Sequence, residues 1–107
     1  MSNRFMRVMV FFDLPVTTKK DRKVATDFRK FLIKDGYYMV QFSVYARVCN
    51  GLDAAEKHIK RLEIAVPDSG SVRAMIVTEK QYESMYVLTG KLKKEEKPFT
   101  YKQMTIF

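Results

Sequence analysis

Arg7-Val-Met-Val-Phe-Phe-Asp13-Leu-Pro15 is an apolar run long enough for a buried strand, and it stops at a carboxylate followed by proline. Side chains of a strand alternate between its faces, so Val8, Val10 and Phe12 share one face and Met9 and Phe11 the other, with Arg7 and Asp13 at the ends. Apolar residues on both faces suit a central strand over 6–13. A carboxylate beside a hydrophobic core costs free energy unless it is hydrogen-bonded, paired or bound to a metal. Asp13 therefore reads either as a turn former that accepts backbone hydrogen bonds or as a functional group at a strand end.

Beyond Pro15, Thr17 or Thr18 caps a helix, with Asp21 in a box-like position and Val24, Phe28, Phe31 and Leu32 at helical spacing. Gly36 ends it as a left-handed C-cap. The other faces of this helix carry Lys19, Lys20, Arg22, Lys23, Arg29, Lys30 and Lys34 against Asp21, Asp27 and Asp35. Tyr37–Val48 alternates cleanly and reads as one long strand. Tyr38, Val40, Phe42, Val44, Ala46 and Val48 form its apolar face, and Tyr37, Met39, Gln41, Ser43, Tyr45 and Arg47 a polar-aromatic one.

Asn50-Gly51 turns the chain into a second amphipathic helix with the stripe Leu52, Ala55, Ile59, Leu62 and Val66, ended by Pro67. His58 falls off that stripe and reads as a solvated helix residue. A third strand follows at 72–77, then one helical turn at Glu79–Ser84 and a short apolar strand at Met85–Thr89. Lys91–Lys97 is a charged hinge closed by Pro98. Phe99–Phe107 has strand composition and needs a sheet edge, its own or a neighbour's, to dock on. The expected fold is α+β, a ferredoxin-like βαββαβ plan with an antiparallel sheet, two helices on one face and an extra C-terminal strand. Residues 1–90 form the domain and 91–107 the hinge and terminal strand.

The 107 residues carry a net charge of +8, and residues 1–35 hold nine of the cations against four carboxylates. A polyanionic partner is the natural reading, because neutralising phosphates releases counterions and gives sequence-independent affinity. No apolar run approaches a bilayer span, and Met1–Met6 lacks the apolar core of a secretory signal, so a cytoplasmic protein without a membrane partner is expected. One cysteine, Cys49, and one histidine, His58, exclude an internal disulfide and a Cys/His zinc site within one chain. There is no Gly-x-Ser-x-Gly elbow and no glycine-rich phosphate loop. A two-fold dimer would convert one interface carboxylate into a pair, a plausible shell for magnesium when completed by waters and substrate phosphate.

The strand ending in Phe12-Asp13-Leu-Pro15, the basic helix, and Gln41-Phe-Ser-Val-Tyr45 followed by Arg47 together resemble the CRISPR-associated protein-two family, in the form found in type II systems. The likeness extends to Val77-Thr-Glu-Lys-Gln-Tyr82 and the C-terminal segment. It implies a ferredoxin-like homodimer whose C-terminal strands cross between protomers. It also implies a part in CRISPR adaptation, in which the dimer joins the integrase and holds double-stranded DNA destined to become a new spacer.

Magnesium-dependent endonuclease activity, as an endoribonuclease on single-stranded RNA or as a DNase, is implied as well. By the same resemblance Asp13 shares Mg2+ with its symmetry mate, while Ser43 and Arg47 position the phosphate and offset developing charge. Lys19, Lys20, Arg22, Lys23, Arg29 and Lys30, with Lys91, Lys93 and Lys94, would hold a duplex by its phosphates. The alternative is a non-catalytic nucleic-acid-binding adaptor in which Asp13 is inert. An RNA-recognition sheet of similar topology lacks its Lys/Arg-Gly-aromatic signature here, and the charge argues against a ligand-sensing domain.

Overall fold

The apolar run quoted above becomes β1 (Phe5–Asp13), an inner strand flanked by antiparallel neighbours on both sides. In the computed structural model, which describes residues 4–97, the sheet order is β2 (Tyr38–Gln41), β3 (Val44–Asn50), β1, β4 (Ser71–Thr78). Helices α1 (Lys19–Lys34) and α2 (Leu52–Ala65) complete the βαββαβ order expected of a ferredoxin-like α+β fold. The C-terminal strand expected at 99–107 lies outside the described residues.

Strand parity decides which side of β1 meets the helices. Val8, Val10 and Phe12 join Phe28, Leu32, Ala55 and Leu62 in the main core. Phe12 sets its ring edge against Phe28 at 5.3 Å and stacks on Tyr45 at 5.6 Å. The start of α1 is the expected capping box: Asp21 N donates to Thr18 Oγ1 at 3.0 Å, and Thr18 N to the Asp21 carboxylate at 3.3 Å. Gly36, at φ +94°, turns the chain out of α1, and a Cβ there would meet the Arg47 guanidinium at 3.0 Å.

Three expectations are corrected. Tyr37–Val48 is not one strand but the β2–β3 hairpin, in which Gln41 pairs with Val44 across Phe42-Ser43. The two-residue turn alone would swap the faces, since Gln41 pairs with Val44, but the register shift between Met39 and Gln41 swaps them back, so the alternation runs on unbroken, and Ser43 takes the left-handed φ of +64° where glycine or asparagine would have announced a turn. The face assignments also invert in meaning: Tyr37, Met39 and Tyr45 pack under the helices, whereas Tyr38, Val40, Val44 and Ala46 lie on the helix-free face. Finally, Met85–Thr89 is not a strand. Helix α3 (Glu79–Glu83), capped by Thr78 and Gln81, carries the chain off the sheet, and strand composition without a partner ladder does not make a strand.

Candidate metal and nucleic-acid site on the open sheet face

The registers of β1 with β3 and β4 lay out the helix-free face in rows. Val48, Arg7 and Val77 form one row, and Ala46, Met9 and Met75 the next. Val44, Phe11 and Arg73 follow, and Asp13 opposite Ser71 closes the series. Asp13 thus shares the open face with Met9 and Phe11. A shallow, mainly apolar groove of about 320 Å³ lies on the same face, lined by Met9, Phe11, Val40, Val44, Met75 and Tyr82 among others.

Asp13 is exposed, and its carboxylate makes no hydrogen bond among the described residues. The turn-forming reading is thereby disfavoured, since no backbone donor occupies its oxygens. Its backbone is held firmly. A Cβ on Gly70, at φ +85°, would fall 2.6 Å from the Asp13 carbonyl oxygen, so the loop into β4 can lie this close only with glycine there. Ser43 is brought to the same end of the sheet, where its carbonyl accepts from Phe12 N at 3.0 Å.

Arg47 is not brought there. It lies opposite Val8, five residues back along β1 and about 16 Å from Asp13 at strand rise, and its side chain is on the helix face. Its guanidinium donates to the carbonyls of Asp35 and Val48, each at 2.7 Å, so it ties β3 to the end of α1. His58 is likewise not a solvated residue. Its Nδ1 lies 3.0 Å from Asp35 Oδ2, while Arg61 Nε donates to Oδ1 at 2.8 Å. Burial alone would raise the Asp35 pKa, but the bonds from His58 and Arg61 together outweigh it and hold the carboxyl below the usual range.

The cations of α1 divide by what they already hold. Arg22 donates to the carbonyls of Val16 and Thr17 at 3.2 and 3.1 Å, bracing the loop after β1. Lys23 pairs with Asp27 at 2.9 Å, which lowers the Asp27 carboxyl, and Arg29 reaches Thr26 Oγ1 at 3.4 Å. Lys19, Lys20 and Lys30 make no such bond among the described residues. At 100° per residue, Lys19, Lys23, Lys30 and Lys34 fall within about 60° of one another, opposite the buried Phe28 and Leu32. They form a continuous basic ridge that phosphates could follow.

Sequence reasoning missed the densest polar cluster. Arg7 is fully buried, not a strand end, and its guanidinium bonds the Glu79 carboxylate and the Tyr38 hydroxyl, with the Tyr82 ring 4.3 Å away. Burial opposes the charge, and the interactions with Glu79 and Tyr38 together more than offset it, so the guanidinium is held above its ordinary value. Its signal was parity: Arg7 shares a face with Met9 and Phe11, where a cation needs an internal partner.

Comparison with known proteins supplies the family. Residues 6–85 match the family described as CRISPR associated protein Cas2. The chain belongs to the Cas2 family. The protein named CRISPR-associated endoribonuclease Cas2 from Acidovorax ebreus is 53% identical over 102 residues, spanning 95% of this chain and all of its relative. Its namesake from Campylobacter jejuni is 45% identical across 98% of this chain and 73% of its own. The Cas2 of Ligilactobacillus salivarius is 50% identical over 90 residues, 84% of this chain and 89% of its own. Family membership places the Asp13 strand end, the hairpin and α1 inside the matched region. Among the described residues no three His, Cys, Asp or Glu side chains gather as a metal cluster. Among the described residues no helix is long and apolar enough to cross a membrane.

Proposed function

We propose that this Cas2-family chain is a magnesium-dependent endonuclease of the type II form, acting as a homodimer in which each copy contributes one Asp13. The observation that carries the reading is the exposed Asp13 carboxylate, unbonded among the described residues, at the end of an open apolar sheet face. Relatives at about half identity are named endoribonucleases, which supports single-stranded RNA as one substrate class. A single hard oxygen ligand per chain fits Mg2+, which keeps several waters and is bound through one or two carboxylates plus phosphate. When bound, the ion would activate water and neutralise charge on the phosphodiester.

The chain's own residues do the rest. Asp13 holds the metal, braced by the Gly70 approach, and the Ser43 hydroxyl at the hairpin tip positions the phosphate. Arg47 contributes by fixing β3 against α1. Residues 1–90 act as the catalytic and binding body, and 91–107 as hinge and dimer-crossing strand.

The second reading is an adaptor for CRISPR adaptation in the cytoplasm, which holds double-stranded DNA for the integrase without cutting it. The basic ridge of α1 favours it, because phosphate binding through Lys19, Lys20, Lys30 and their neighbours needs no metal. Asp13→Ala separates the two. Loss of at least 100-fold in Mg2+-dependent RNA cleavage with unchanged duplex affinity supports the nuclease, and unchanged cleavage removes Asp13 from catalysis. Spacer acquisition in cells carrying Asp13→Ala, set against cells carrying a Lys19/Lys20/Lys30 reversal, shows which property is used.

A further inference from the structure

Thr26, Arg29, Lys30 and Ile33 recur at i, i+3, i+4 and i+7, so they form one flank of α1 that borders the basic ridge. Between this flank and β3 runs a groove of about 450 Å³, lined by Thr26, Arg29, Lys30, Ile33, Lys34 and Tyr45. Its rim is cationic, and among the described residues no carboxylate lines it. Lys30 and Lys34 make no hydrogen bond or ion pair among the described residues, and Arg29 is tied only to Thr26 Oγ1, at 3.4 Å. Ile33 is 56% exposed, an apolar side chain that the core does not use, set among these charges.

The floor of the groove is polar at one point. Tyr45 is 4% exposed, with its ring stacked on Phe12, yet its hydroxyl makes no hydrogen bond among the described residues. Among those residues the Tyr37 hydroxyl is the one side-chain polar group both sealed from solvent and unpartnered. The Tyr45 hydroxyl is therefore open to the groove that its side chain lines, a nearly buried donor and acceptor beneath an exposed cationic rim. A polar group held this deep is ordinarily paired, so a bound molecule completes it.

A duplex lying on the ridge offers this flank its phosphates, which pair with the rim and leave Ile33 and the recessed hydroxyl unused. An unpaired nucleotide offers more: a flat base with hydrogen-bonding edges, and an anionic phosphate on either side. We propose that the groove is a subsite for one unpaired nucleotide of a single strand. The base covers Ile33 and bonds the Tyr45 hydroxyl through its edge, while the adjacent phosphates lie against Arg29, Lys30 and Lys34. An acidic peptide would satisfy the cations, but its carboxylates give Ile33 nothing apolar to pack on. Such a subsite rests on the nucleic-acid reading above, yet needs neither Mg2+ nor a second copy of the chain.

The full chain, held in EDTA so that no strand is cut, is titrated with a short single-stranded RNA, the DNA of the same sequence and the blunt duplex of that DNA. Tyr45→Phe keeps the ring and removes the hydroxyl, and Ile33→Gln keeps a helix former and removes the apolar surface. With the far-ultraviolet circular dichroism of the fold retained, each should weaken both single strands about three- to tenfold and the duplex less than about twofold. The Ile33 δ1 methyl resonance of the wild type should shift with either strand and stay in place with the duplex. Strands and duplex weakened alike, or strands unaffected by both variants, overturns the subsite. A DNA strand bound ten times more weakly than the RNA overturns the base-and-phosphate assignment, since none of these contacts needs a 2′-hydroxyl. A polyglutamate peptide that binds more tightly than either strand with the same Ile33 shift assigns the groove to an acidic protein segment and overturns it too. Duplex binding without strand binding sinks the subsite alone, and a wild type that binds neither overturns the nucleic-acid reading itself.

Discussion

Asp35 shows how a residue read as one of three acids on a basic helix does a different job once folded. It caps α1, accepts from His58 and Arg61 through its carboxylate and from Arg47 through its carbonyl, and so joins α1, α2 and β3. Its carboxyl is depressed when folded, so the stability it contributes is present above the unfolded carboxyl value near 4 and is lost as pH falls through the lower folded value. Asp35→Asn should therefore lower stability at neutral pH by about 1–3 kcal/mol and flatten the acid limb below about pH 4. Urea melts at pH 7 and pH 3 check it, and parallel acid limbs for wild type and variant would contradict it. At Gly70 a side chain meets both a left-handed φ and the Asp13 carbonyl. Gly70→Ala should cost about 1–3 kcal/mol and displace the strand end, so denaturant midpoint and cleavage should fall together.

At the scale of elements, the β2–β3 hairpin turns on Ser43, whose left-handed φ is the described chain's one such conformation outside glycine. Ser43→Asn should leave stability unchanged or raise it by up to about 1 kcal/mol, because asparagine tolerates that conformation better. Reduced cleavage in a stabilised Ser43→Asn would mark the hydroxyl as functional, whereas full activity would assign Ser43 to the turn. The same residue marks where the sequence was legible and where it was not. Both long helices, the capping box at Thr18, the α1 exit at Gly36 and the two faces of β1 follow from periodicity and cap chemistry, and all appear. The hairpin did not, because its turn carries no glycine or proline and the register shift between Met39 and Gln41 restores the alternation that the turn inverts. Asp13 was legible as a strand-end carboxylate, but the Arg7–Glu79–Tyr82 cluster depends on side chains more than seventy positions apart meeting across the sheet, which no local pattern encodes.

Over the whole molecule, the helices cover one face of the sheet and leave the other partly bare, with Phe11, Met75 and Met85 exposed. An exposed apolar groove of this kind, rimmed by polar groups, marks an association surface. Charge placed in it separates folding from association. Met75 is half exposed on edge strand β4, so Met75→Glu removes little from the core and should shift the chain's own stability by no more than about 0.5 kcal/mol. In a dimer built on this face the same carboxylate would be buried against its own copy near the two-fold axis, where desolvation and like-charge repulsion act together. Met75→Glu should then weaken self-association at least 100-fold by sedimentation while leaving duplex binding by the α1 ridge within a few-fold per protomer. On the proposed reading, in which two Asp13 carboxylates share one magnesium ion, cleavage should become second order in protein concentration. A Met75→Glu protein that stays dimeric at nanomolar concentration would move the dimer interface off this face, and the shared magnesium site with it.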